Sequence, residues 1–154
     1  MIDEPPEYYF LAVGASEGLT PLNAFDGALV AAGIGQFNLV KVTSIVPPNA
    51  EQADSIPLKP GTVVPSAFAA IHSVTPDEII TAAVSVAIPQ NGNQHGLIME
   101  YSARGHKSEV EEIVRNMAEE GMKLRGFQIK SLKSLAIEHK VERIGCVIAA
   151  VLLW

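Results

Sequence analysis

The stretch IITAAVSVAIP at 79–89 constrains the fold more than any other, because it reads as a strand that is apolar on both faces. Such a strand is at home inside a layered structure. Other strands surround it in the sequence. YYFLAVGAS (8–16) enters a loop, and FNLVKVTSIV (37–46) is closed by Pro47–Pro48. TVVPSAFAAIHS (62–73) is extended, with Pro65 suggesting an edge or a bulge. HGLIMEYSAR (95–104), QIKSLKSLAIEHK (128–140) and RIGCVIAAVLLW (143–154) complete the set, and 49–61 reads as a polar loop.

Two segments carry helical signals. In 18–35, Thr20 is a cap, Pro21 suits the first helical position, and Gly33 and Gly35 stop the helix. Leu22, Phe25, Leu29 and Ala32 form the expected apolar stripe. In 106–126, Ser108 and Glu111 fit a capping box and Gly126 fits the stop. Val110, Ile113, Val114, Met117 and Leu124 are the expected buried face. Strands with one early and one late helix make an α+β or layered sandwich rather than βαβ repeats. No repeat or linker divides the chain, so a single domain spanning 1–154 is expected.

Charge narrows the function. The net charge of −6 argues against a nucleic-acid partner. Charged residues make up 18% of the chain, below the usual ~25%, and the carboxy-terminal run VIAAVLLW is very apolar. Both features suit an oligomer. The lone Cys146 cannot form an internal disulfide and reads as a buried thiol. MIDEPPEYYF is acidic and Pro-rich, unlike a signal peptide, and Ile144–Trp154 is too short to span a membrane as a helix. A cytoplasmic protein with no membrane partner is expected. His72, His95, His106 and His139 are scattered, and no metal is implied.

The adjacent Thr43–Ser44 hydroxyls, just before two prolines, admit two readings. One is ordinary strand-end polarity. In the other, the Ser44 hydroxyl attacks the peptide bond beside it. The stretch around Ser44 has no GxSxG elbow and no SxxK, so a conventional serine hydrolase has little support there. Self-attack would give an ester through an oxyanion that needs donors. Elimination would free Thr43 as a carboxy terminus, and loss of ammonia would leave Ser44 as a pyruvoyl ketone. The rigid VPP turn is a candidate source of strain. On one continuous strand Asn38, Val40, Val42 and Ser44 would share a side. Asn38 is then either a structural hydrogen-bonding residue or a donor to the oxyanion. Glu100 shares a strand face with Ile98 and Ser102. It is either outward-facing or a carboxylic acid of raised pKa, able to donate a proton. Asp26 is either a solvated helix flank or a carboxylate for a guanidinium. Backbone donors in SEGLT (16–20) are candidates to receive a carboxylate.

The chain resembles the pyruvoyl-dependent arginine decarboxylases over nearly its whole length. GASEGLTPLNAFDGAL (14–29), GIGQFNLVKVTSIVPP (33–48), LKPGTVVPSAFA (58–69), VSVAIP (84–89), GLIMEYSARG (96–105) and AIEHKVERIGCVIAAVLLW (136–154) carry the resemblance. It implies a layered αββα sandwich forming trimers, some stacked into hexamers, with active sites shared between subunits. It implies a cut between Thr43 and Ser44, a covalent pyruvoyl group made from Ser44, and conversion of L-arginine to agmatine and carbon dioxide. It gives Glu100 the proton donor's role, Asn38 a part in self-processing, and Asp26 the guanidinium. The alternatives are a pyruvoyl decarboxylase of another amino acid and an unprocessed oligomeric scaffold.

Overall fold

The computed structural model describes residues 4–154, so Met1–Asp3 of the acidic start lie outside it. In chain order the elements are β1 (Tyr8–Glu17), α1 (Pro21–Ala31), β2 (Asn38–Lys41), β3 (Ile45–Val46), β4 (Glu51–Gln52), β5 (Val63–Ser73), β6 (Ile79–Pro89), β7 (Gly96–Arg104), α2 (Lys107–Leu124), β8 (Ile129–Lys140) and β9 (Gly145–Leu153). One sheet has the order β2-β5-β9-β1-β4 and the other β3-β7-β6-β8. No helix among the described residues is long and apolar enough to cross a membrane.

Alternating side chains explain the layering. Val147, Ala149 and Val151 of β9 meet Ala82, Val84, Val86 and Ile98 in the core between the sheets. The opposite face of β9, with Cys146 and Ile148, packs on Ala24 and Ala28 of α1. Ala83 and Ala87 of β6 pack on Val110, Val114, Ala118 and Met122 of α2. The layers therefore run helix, sheet, sheet, helix, in agreement with the expected αββα sandwich. Strand β6 is buried on both faces as its sequence demands. Its polar members are satisfied: Thr81 donates to the Gly105 carbonyl at 2.8 Å and Ser85 to the Val114 carbonyl at 2.7 Å. Burial pushes the Cys146 thiol up to about 11.

Several expectations are corrected. Strand β9 lies between β5 and β1, so the apolar carboxy-terminal run is covered within the chain and needs no partner to explain it. Pro65 is not on a sheet edge. It sits opposite Val40 of β2, one residue before the ladder from Ser66 to Leu152 of β9 begins. Helix α1 has the expected Thr20 cap, which accepts the Asn23 N–H at 3.2 Å, and the expected Phe25, Leu29 and Ala32 pack inward, but the fully buried residues are Ala24 and Ala28. Leu22 is 74% exposed. The reason is proximity: a methyl on Gly14 would lie 2.1 Å from the Ala28 carbonyl oxygen. Helix and strand approach so closely that only small residues fit between them. In α2 the cap is His106, whose side chain makes no capping hydrogen bond, and Ser108 lies inside the helix. Instead the Glu138 carboxylate accepts the Lys107 N–H at 2.9 Å. The buried residues are Val110, Val114, Ala118, Gly121 and Met122, leaving Ile113 and Leu124 exposed. Gly126 does stop the helix, at φ +69°.

The end of β1 is tied to the turn between β8 and β9. The Glu17 carboxylate accepts backbone N–H groups of Glu142, Arg143 and Ile144, and it lies 2.6 Å from His139 Nε2. Burial alone would raise its pKa, but the Arg143 N–H and His139 outweigh that and hold it below its ordinary value.

The close packing of α1 on β1 is testable. Gly14→Ala should lower stability to urea by about 2 kcal/mol or more, because the added methyl meets backbone. Gly92→Ala, whose methyl would meet only the Asn49 side chain at 3.7 Å, should change it by less than about 0.5 kcal/mol.

Candidate active site

The segment NLVKVTSIV is not one strand. Strand β2 runs parallel to β5 in the five-stranded sheet, and β3 runs antiparallel to β7 in the other. Val42 still belongs to the first sheet, since its N–H reaches the Ser66 carbonyl at 3.1 Å. Ser44 already belongs to the second, since its carbonyl accepts the Ile98 N–H at 2.7 Å. Thr43 carries the chain across the gap. Facing sheets lie roughly 10 Å apart, so a chain that changes sheet must give up regular pairing for a residue or two. Here that break falls on the Thr43–Ser44 peptide.

The bonding around this peptide is lopsided. The Ser44 carbonyl is held, while among the described residues the Ser44 N–H, the Thr43 carbonyl and both hydroxyls make no hydrogen bond. Thr43 is exposed and Ser44 half-buried. The left-handed backbone nearby is at Asn49, φ +67°, after the prolines rather than at the bond itself. The expected VPP strain therefore has no counterpart in φ at Thr43 or Ser44.

Departure of β2 also opens the edge of β5. The carbonyls of Ser66, Phe68 and Ala70 belong to alternate residues and point to the same edge. Val42 fills the first. Lys41 Nζ donates to the Phe68 carbonyl at 2.9 Å and lies 4.8 Å over the Phe68 ring. Ser102 Oγ donates to the Ala70 carbonyl at 3.3 Å.

Glu100 lies on the same face of β7 as Ile98 and Ser102. Ile98 is in the core between the sheets and Ser102 reaches β5, so this face looks inward. The outward reading of Glu100 is thereby corrected. Burial pushes its carboxyl above the ordinary range. The Lys41 ammonium and Glu100's own backbone N–H pull the other way without cancelling the effect. The register Ile45↔Leu97 continues to place Ser44 opposite Ile98, two residues from Glu100.

The other candidates lie apart from this pair. Asn38 donates its side-chain amide to the Gly61 carbonyl at 3.0 Å. It shares no strand face with Ser44, because β2 ends at Lys41. Asp26 is exposed and sits two residues from each of the buried Ala24 and Ala28, so it points away from the sheet. Beside it Pro21, Leu22 and Phe25 of α1 and Ala70, Ile71 and His72 of β5 line a shallow groove of about 270 Å³. The donors expected in 16–20 are partly engaged: the Gly18 N–H bonds the Ile144 carbonyl. Sequence reasoning passed over Lys41. Its one signal was a lone cation beside the hydroxyl pair, in a strand otherwise rich in apolar residues.

Comparison with known proteins narrows the class. The solved structure of a pyruvoyl-dependent histidine decarboxylase at pH 8 shares the fold, with a TM-score of 0.53 and 12% identity. The likeness covers 63% of this chain and about half, 52%, of that one. The fold is thus one found in a pyruvoyl enzyme. Residues 8–154 match the family described as pyruvoyl-dependent arginine decarboxylase (PvlArgDC), and the chain belongs to that family. A pyruvoyl-dependent arginine decarboxylase of Methanocaldococcus jannaschii is 49% identical over 149 residues, covering 97% of this chain and 90% of the relative. One from Methanococcus maripaludis is 46% identical over 154 residues, covering 98% and 92%. One from Pyrococcus abyssi is 40% identical over 152 residues, covering 97% and 96%.

The raised pKa of Glu100 has a thermodynamic consequence. Between its unfolded and folded values the unfolded chain has released a proton that the folded chain keeps, so its contribution to stability falls as pH rises through that window. Glu100→Gln should therefore be more stable than the parent above the folded pKa. The gain should vanish below the ordinary carboxylate range. Urea unfolding across pH checks this; a gain that grows on acidification would contradict it.

Proposed function

We propose that this chain is a pyruvoyl-dependent arginine decarboxylase that converts L-arginine to agmatine and carbon dioxide, acting as one domain that generates its own pyruvoyl group from Ser44. The observation that carries this reading is the sheet-to-sheet crossing at Thr43–Ser44, beside an inward-facing glutamate, in a chain that matches the family over 8–154. The crossing fits the making of such a group. The Ser44 oxygen attacks the Thr43 carbonyl carbon, the Thr43–Ser44 C–N bond breaks, and the chain is joined through an ester. Among the described residues neither the amide nitrogen nor the Thr43 carbonyl is held by a hydrogen bond, so the two are free to part, and the donor that the Thr43 oxyanion needs is supplied by none of these contacts. Elimination releases Thr43 as a carboxylate, and hydrolysis of the dehydroalanine at 44 expels ammonia. The anchored Ser44 carbonyl keeps the new end on β7.

When present, the pyruvoyl ketone supplies the electron sink for decarboxylation that ordinary side chains lack. Glu100 holds a proton at its carboxyl, helped by burial, and delivers it to the substrate's α-carbon. Asp26 offers a carboxylate to the guanidinium, whose planar fork favours two parallel hydrogen bonds. The groove between Leu22, Phe25 and Ala70 suits the methylene chain that precedes it. Within one chain Asp26 faces outward from α1 while Glu100 faces inward between the sheets. A substrate touching both is most simply held between two copies, which favours a trimer or hexamer with shared sites. Asn38 acts on processing from a distance, by fixing the start of β2 to Gly61.

Intact mass and carbon dioxide release test this together. The protein should separate into a piece ending at Thr43 and a longer piece blocked by pyruvoyl. Ser44→Ala should show neither cleavage nor activity. Glu100→Gln should still cleave but lose about 10²–10⁴-fold in turnover. Arginine should outrun ornithine, lysine and histidine; equal rates would point to a broader decarboxylase. A full-length, uncleaved chain with no activity would leave the scaffold reading. Mixing Asp26→Ala with Glu100→Gln chains before assembly should restore part of the activity, and absence of rescue would place both residues in one subunit.

A further inference from the structure

We propose that the backbone N–H of Ile98 is part of the reaction machinery: it holds the Ser44 carbonyl before and after the chain is cut, and it stabilises charge that reaches this oxygen during decarboxylation. The inference rests on the function proposed above and assigns a role to a group outside its proton donor and its substrate contacts.

The Ile98 N–H lies 2.7 Å from the Ser44 carbonyl oxygen, at the short end for an N–H···O bond. In a regular antiparallel ladder two residues so placed would exchange both hydrogen bonds. Here only one is made, because among the described residues the Ser44 N–H has no partner. The missing half is the half on the nitrogen that cleavage removes. The retained half lies on the carbonyl that survives. Processing can therefore remove the nitrogen without costing any hydrogen bond on β7.

The Ser44 carbonyl is the amide carbonyl directly attached to the carbon that becomes the ketone. Electron density moving onto that carbon as carbon dioxide departs is conjugated with this amide and spreads to its oxygen. A donor aimed at an oxygen that gains negative charge is worth more in the transition state than in the ground state. No proton moves: the hydrogen stays on the Ile98 nitrogen and the bond strengthens. The surroundings favour such an effect. Ile98 is fully buried in the core between the sheets, where low polarity strengthens a hydrogen bond. Glu100 stands two residues further along the same strand face, so one strand fixes both the donor to the carbonyl and the proton for the α-carbon.

Replacing Ile98 by its α-hydroxy acid exchanges the N–H for oxygen and leaves the side chain unchanged. In the assembled enzyme this variant should still be cut at Thr43–Ser44 by intact mass. It should lose about 10–10³-fold in kcat, with KM changed less than about threefold. A second measurement does not depend on that variant. In unaltered processed enzyme, and in uncleaved Ser44→Ala protein, the Ile98 amide hydrogen should exchange at least about 10²-fold more slowly than in an open chain. Exchange at the open-chain rate after processing, or an ester variant with unchanged kcat, overturns the inference. If the ester chain fails to fold or process, the exchange measurement decides. Failure of the parent reading looks different, since the unaltered protein would then be uncut or would release no carbon dioxide from arginine.

Discussion

The structure depends on the need to cover β6 and β9 on both faces. Two strands with no polar face cannot share one open sheet with water on either side. Placing them in separate sheets, face to face, and laying one helix over each outer surface satisfies both. That solution has the chain pass between the sheets, and the crossing from β2 to β3 falls on Thr43. The candidate reactive bond is thus a product of core packing. Its unpaired N–H and carbonyl are what a chain leaves behind when it exchanges one ladder for another.

The same crossing organises its surroundings. As β2 leaves, it exposes carbonyls on β5, and Lys41 and Ser102 occupy them. A lysine and a hydroxyl on an otherwise open edge also discourage another strand from adding there. Both lie near Glu100, one by its field and one by its place on β7. Edge protection and the electrostatics of the candidate acid are therefore handled by the same side chains.

Much of this was legible in the sequence, for physical reasons that differ by element. Periodicity identified β6, β7, β8 and β9, because their patterns are long. It also put Glu100, Ile98 and Ser102 on one face, but could not say that the face looks inward. It failed at 37–46, because β2 and β3 are each locally strand-like and nothing local reports a change of sheet. On the helix faces it was right in part: Phe25, Leu29 and Ala32 of α1 and Val110 and Val114 of α2 do pack inward. It missed that α1 meets β1 so closely that Ala24 and Ala28 take the innermost places and Leu22 goes out, and it wrongly buried Ile113 and Leu124. The capping box in α2 failed because a carboxylate from another strand, Glu138, supplied the acceptor. Nothing local in the sequence said that Asp26 points away from the first sheet while Glu100 points between the sheets.

A cut at Thr43–Ser44 would leave β1, α1 and β2 on one polypeptide and the remaining strands on another. Strand β1 lies between β9 and β4, joined to β9 by nine residue pairs from Tyr9–Leu153 to Glu17–Gly145, and Glu17 grips the turn before β9. The shorter piece is therefore woven through the sheet rather than appended to it. Folding before the cut is an event within one molecule, whereas recovery after it requires two molecules to find each other. Reassembly then depends on concentration in a way that the first folding does not. Such a cut would make the persistence of the fold rest on the barrier to unfolding.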